Sequence, residues 1–180
     1  MNTTNWQHYY SVDNQGTPWP TGALYEPLVN PDGNILCMRF DPNNSFRNQP
    51  VSLELAEDCF RREVKYLKKF SKYDWCAKLI DVDTETKEVY IEWNNDCCEK
   101  IIESGINLNS IIPDWKQQLK QIVSDIKHNH VYKITMYPCY HFIKDDCLKA
   151  FGFYTSCDYN EQPIDIELYR PLLNKEREQF

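Results

Sequence analysis

Residues 60–70 read Phe60-Arg61-Arg62-Glu63-Val64-Lys65-Tyr66-Leu67-Lys68-Lys69-Phe70. Phe60, Val64, Leu67 and Phe70 return at helical spacing and make one apolar face, while Arg61, Arg62, Lys65, Lys68 and Lys69 take the remainder. The pattern predicts a helix over 53–70. Before it, 41–50 is polar and irregular. Further upstream, strands over 23–29 and 34–40 flank Asn30-Pro31-Asp32-Gly33, where Pro31 presets φ and Gly33 accepts a positive φ. After the helix, strands over 78–82 and 88–93 flank Asp83-Thr84-Glu85-Thr86. In the second of them Val89, Ile91 and Trp93 alternate with Tyr90 and Glu92, as a half-buried strand should.

Working outward, the first thirty residues are rich in aromatics, Asn, Gly and Pro and read as a loop-rich cover with one strand. Towards the C-terminus a short helix over 96–104 and a connection over 105–112 precede a stronger helix over 113–127. There Pro113 suits the first turn, and Trp115, Leu119, Ile122 and Ile126 share one side. A loop over 131–138 leads to strands over 139–143 and 147–153 around the turn Lys144-Asp145-Asp146. A loop over 154–163, a helical segment over 164–169 and a frayed end over 174–180 complete the chain. Hairpin, helix, hairpin, two helices, hairpin and short helix is an α+β order.

Composition narrows the function. A chain of 180 residues, 42% hydrophobic and 14% aromatic, carries enough apolar material for one domain or two small lobes on a shared core. The formal net charge of −7 argues against holding nucleic acid by its backbone. The Lys and Arg between Arg61 and Lys72 read as a solvated helix face with interspersed acids. No apolar run approaches the roughly 20 residues of a membrane span. Met1-Asn2-Thr3-Thr4-Asn5-Trp6 lacks the basic and apolar regions of a signal peptide. The expected location is therefore cytoplasmic, with its eight cysteines as thiols. No Cys-x-x-Cys pair occurs, so no zinc ribbon or redox motif is signalled. Cys139-x-His141, with Cys147 and Cys157 beyond, is the tightest metal-like group, and small buried hydrophobes explain those cysteines better. His141 reads as a structural histidine, His128 and His130 as helix-end residues, and Asp145 and Asp146 as turn formers.

Several of these segments together resemble the protein-kinase family over roughly 23–153. Ile35-Leu36-Cys37-Met38-Arg39-Phe40 resembles the third kinase strand, Val-Ala-Ile-Lys, with Arg39 in the lysine's place. Glu63 falls where the regulatory helix carries the lysine-pairing glutamate, and Trp93-Asn94-Asn95 where the adenine-contacting hinge would be. The helix over 114–130 is similar to the one before the catalytic loop. The hairpin over 139–153 is similar to the strands leading to the magnesium-binding Asp-Phe-Gly. The resemblance implies a small antiparallel-sheet N-lobe with one helix over 1–95. A truncated, mostly helical C-lobe-like part would follow over 96–180 in one continuous unit. It seats Arg39, Glu63, Trp93 and Asn94 around a nucleotide position. It also requires the Glu63 helix on Arg39's face of the sheet, with the two charges within about 4 Å; a helix on the other face would end the resemblance.

The departures from that family carry the functional expectation. Only Gly16 and Gly22 stand where a Gly-rich phosphate loop would be. Ile134 stands at the catalytic-base position, Cys139 near the metal-binding Asn, and Gly152 where the second metal-binding Asp would be. Only 27 residues follow Phe153, too few for an activation segment and substrate-holding helices. Phosphoryl transfer relies on positioning and on charge neutralisation by metal. The resemblance, which is strongest to small kinase-like proteins of phages and other viruses, thus implies a non-catalytic module without cofactor or metal that binds a protein partner such as a host factor. Two alternatives remain: an atypical ATP-dependent phosphotransferase with other metal ligands (Asp158 being the one acid shortly after Gly152), and a small zinc-binding regulator built on the late cysteines.

Overall fold

A computed structural model describes residues 1–9, 11–12, 18–19, 24–42, 52–133, 136 and 138–161. Three two-residue strands come first: β1 (Gln7–His8), β2 (Ser11–Val12) and β3 (Pro18–Trp19). Then come β4 (Glu26–Val29), β5 (Ile35–Arg39), helix α1 (Leu53–Phe70), β6 (Leu79–Asp83) and β7 (Glu88–Glu92). The second half holds α2 (Cys98–Glu103), α3 (Leu108–Ile111), α4 (Trp115–His128), β8 (Val131–Tyr132), a 3-10 turn (Pro138–Tyr140), β9 (His141–Lys144), β10 (Cys147–Ala150) and β11 (Cys157–Asp158). The α+β class and the two central hairpins follow the sequence reading. The short helix α3 inside the expected connection, and the pair β8–β11 inside two expected loops, do not. The helical segment expected over 164–169 lies outside the described residues, as does most of the irregular stretch over 41–50.

Local chemistry accounts for the elements. Asn30 Oδ1 accepts from the amides of Asn34 and Ile35, both at 2.9 Å, and closes the β4–β5 hairpin. Ser52 caps α1 by accepting from Leu55 N at 3.1 Å. Glu54 in its first turn and Lys68 and Lys69 in its last complement the helix dipole. The β9–β10 turn uses Asp145 and Asp146, with φ of 52° and 56°, as the two residues of a hairpin with positive φ at both.

The main sheet is antiparallel, with five strands in the order β1-β4-β5-β7-β6. Side chains of a strand alternate between faces, and the two faces here are unlike. Leu36, Met38, Phe40, Val89 and Ile91 join one large core with Cys59, Phe60, Tyr66, Leu67 and Phe70 of α1. Each such side chain contributes on the order of 1.5–3 kcal/mol by leaving water. Leu28, Cys37 and Tyr90 form a separate small cluster on the other face, edged by Trp6 and Ile35.

The same large core continues into the second half through Trp93, Phe142, Leu148, Phe151 and Phe153. Backbone links fasten the β9–β10 hairpin to the stretch after α1. Ala77 N donates to Ala150 O at 3.0 Å, and Ala150 N donates to Trp75 O at 2.7 Å. Asn94 Nδ2 donates to Ile143 O at 2.6 Å, so the hairpin lies under the 93–95 link. From α4, Asp125 accepts from Trp75 Nε1 at 2.8 Å and Gln118 accepts from Leu148 N at 2.8 Å. No described helix is long and apolar enough to cross a membrane.

Candidate functional site

Glu63 stands on the buried stripe of α1 with no exposed surface. A carboxylate there needs partners, because isolated buried charge is strongly disfavoured. Gly152 N donates to its Oε1 at 3.0 Å. The cation that acts on it is Lys133, itself 8% exposed, at the end of β8. The Lys133 ammonium lies 4.9 Å from the Phe153 ring centre and 5.8 Å from that of Tyr140.

Burial works on both charges. It pushes the Glu63 carboxyl above its ordinary range, against the pull of Lys133 and of nearby backbone N–H groups. It pushes the Lys133 ammonium below its ordinary range, against the pull of Glu63. Around them burial also raises Tyr25 and Tyr140 well above the usual phenol value and the Cys76 thiol up to about 12. The Tyr140 and Tyr154 hydroxyls meet at 2.5 Å.

Arg39 is not part of this group, which corrects the expected Arg39–Glu63 pair. Its side chain is on the face of β5 opposite α1, where Nε donates to Glu88 at 2.7 Å and Nη1 to Glu26 at 3.1 Å. Its Nη2 donates to Thr3 Oγ1 at 2.7 Å, and Glu88 also accepts from the Tyr90 hydroxyl. The physical reason is strand alternation: Met38 faces α1, so Arg39 faces away. By the requirement set from the sequence, this placement ends the protein-kinase resemblance. We expect Arg39→Met to cost about 1–3 kcal/mol through its lost charged hydrogen bonds. In urea unfolding it should add to Glu63→Gln within about 0.5 kcal/mol, since the two lie on separate faces; a coupling well beyond that would contradict the assignment of faces.

The other expected positions are placed as follows. Trp93 is 1% exposed, its ring 5.0 Å from that of Phe142 and 5.6 Å from that of Phe151. The amide of Trp93 donates to Asn34 O at 2.8 Å and that of Asn95 to Gly33 O at 3.1 Å, so these donors of the link are used within the fold. Asn94 is exposed and holds Ile143 O. Cys139 is buried in the 3-10 turn, and Ile134 lies outside the described residues. Gly152, at φ +74°, meets the face of Tyr140: a β-carbon there would sit 2.5 Å from Tyr140 Cδ1. Aromatic carbon therefore occupies the space beside Gly152. Asp158 is held by Lys65 at 2.7 Å and Lys69 at 2.8 Å; burial opposes its charge, but these bonds keep its carboxyl below the ordinary range.

Among the described residues no group of three or more His, Cys, Asp or Glu is placed to hold a metal ion. An open cleft of about 600 Å³ exists elsewhere, lined by Thr3, Arg39, Asp41, Asp83, Lys87 and Glu88 among others, and not by Glu63, Lys133 or Gly152. The partner that sequence reasoning missed is Lys133. Its signal was available: it is the lone charge in Val131-Tyr132-Lys133-Ile134. Comparison with protein-family models and with curated proteins finds no match to this chain.

Proposed function

We propose that the chain is a non-catalytic module that works by binding a protein partner. The observation that carries the non-catalytic part is the use made of Glu63. It accepts from Gly152 N and feels the charge of Lys133 inside the core, with no exposed surface from which to meet a substrate. The bond from Gly152 N to Glu63 fastens α1 to the stretch after β10.

Thermal unfolding with millimolar ATP and Mg²⁺ tests this. A ligand at a hundred times its dissociation constant adds about 2.7 kcal/mol of stability. For a chain of this size that is roughly 5–10 °C in Tm. We expect a shift below about 1 °C, which is inside the scatter of such a measurement relative to that scale. A rise of several degrees that depends on Mg²⁺ would overturn the proposal in favour of an atypical phosphotransferase.

A further inference from the structure

The segment 61–72 carries six cations, Arg61, Arg62, Lys65, Lys68, Lys69 and Lys72, and a single acid, Glu63. Glu63 is in the core, so the acid interspersed in the sequence is missing from the surface. Arg61, Lys65 and Lys68 follow one another at i, i+4 and i+7, and Lys72 continues the row just past the end of α1. All four are exposed. At 1.5 Å per residue the row is about 16 Å long. It stands on a chain whose net charge is −7.

One part of this row already has an acidic occupant. Asp158 bridges Lys65 and Lys69 at 2.7 and 2.8 Å. Glu161 is held by Lys65 at 2.6 Å and approached by Arg62 at 3.7 Å. Arg62 Nη1 also donates to Ser156 O at 2.8 Å, and Lys69 Nζ to Asn129 O at 3.1 Å. Two carboxylates three residues apart thus fit cations spaced along a helix by three and four. Beyond this clamp, among the described residues Arg61 makes a loose contact with Asp58 at 3.5 Å, with its side chain 66% exposed. Lys68 and Lys72 are also exposed, and Lys72 rests over the Tyr73 ring.

We infer that the exposed cationic row of α1, from Arg61 to Lys72, is a docking surface for an acidic segment of a partner protein, and that Asp158 and Glu161 compete for it from within the chain. This rests on the protein-binding reading above and names its surface. Carboxylate is favoured over phosphate as the ligand because the occupant already on the row is carboxylate. Aligned cations speed and orient such an encounter, and the attachment weakens as salt rises.

The test uses the full chain and a fluorescein-labelled poly-glutamate peptide at low salt, followed by anisotropy. Binding should occur and weaken with added salt. Arg61→Gln/Lys68→Gln/Lys72→Gln should weaken it by roughly tenfold or more. A matched change on α4, Lys116→Gln/Lys120→Gln/Lys127→Gln, removes three exposed lysines and should leave affinity within about twofold. Asp158→Asn/Glu161→Gln should strengthen binding several-fold. Equal loss from the α1 and α4 sets, no binding by the wild-type chain, or no gain on removing the internal acids would each overturn the inference. Tighter binding of a DNA duplex than of the peptide through the same row would overturn it in favour of a nucleic-acid surface. Absence of an ATP effect together with failure here would leave the non-catalytic reading intact and remove only this surface, so the two can fail separately.

Discussion

Glu63→Gln and Lys133→Met are expected to destabilise the protein with opposite dependences on pH. Each leaves one buried charge without its counter-charge, and breaking such a pair from one side costs about 3–5 kcal/mol. In Glu63→Gln the remaining group is Lys133, which burial holds below the ordinary lysine value of 10.5. The unfolded chain then binds more protons than the folded one below that value. The deficit is full near neutrality and fades as pH rises towards 10.5. In Lys133→Met the remaining group is Glu63, which burial holds above the ordinary value of 4.5. Here the folded chain binds more protons, so the deficit is full near neutrality and fades as pH falls towards 4.5. The flanking Cys76 thiol, at about 12, and the phenols of Tyr25 and Tyr140 stay protonated through both windows. Urea unfolding of both variants at several pH values reads the two slopes. The double variant should lose clearly less than the sum of the singles, because no uncompensated charge is left. Slopes of the same sign, or none, would mean that Glu63 and Lys133 do not share the interior as charges.

That pair also shows where the sequence was legible and where it was misread. The helix bounds, 53–70, follow from periodicity and match α1. The buried stripe is Phe60, Glu63, Leu67 and Phe70 with Ala56, Cys59 and Tyr66. Val64, expected on that face, is only partly buried. Spacing by three, four and three already puts Glu63 among the apolar residues, so its burial was open to view. For Arg39 to reach it is incompatible with Met38 packing on α1. On one strand, neighbours at successive positions cannot share a face. Strand alternation in Leu36-Cys37-Met38-Arg39-Phe40 was sufficient to choose. The pairing β8–β11 was not legible, because two-residue strands carry no periodicity of their own. They are fixed by contacts far apart in sequence, such as Cys157 opposite Tyr132. Lys133 was equally hidden in one respect. Its burial depends on Glu63, seventy residues earlier, and local pattern says only that a lone charge among apolar residues needs a partner.

Gly152→Ala should be among the most damaging single-methyl additions the chain can receive, and Gly105→Ala supplies its control. Both glycines have positive φ, +74° and +80°, where an alanine is strained by about 1–2 kcal/mol. They differ in surroundings. A β-carbon on Gly105 meets nothing within 4 Å, so strain is its whole penalty. A β-carbon on Gly152 would stand 2.5 Å from Tyr140 Cδ1, 2.9 Å from Cγ and 3.2 Å from Cβ. Those atoms cannot swing aside. Tyr140 is 6% exposed, its hydroxyl is bonded to that of Tyr154, and its ring packs edge-on to Phe151. Forcing the two apart adds an overpacking term of about 1–3 kcal/mol. It also pulls at the Gly152 amide that donates to Glu63 at 3.0 Å. Together, Gly152→Ala should cost about 2–5 kcal/mol in urea unfolding, against about 1–2 kcal/mol for Gly105→Ala. The excess of the first over the second measures the closeness of the Tyr140 ring to the backbone at 152. If the two substitutions cost the same, the ring does not fill that space, and room for a bound group beside Gly152 returns.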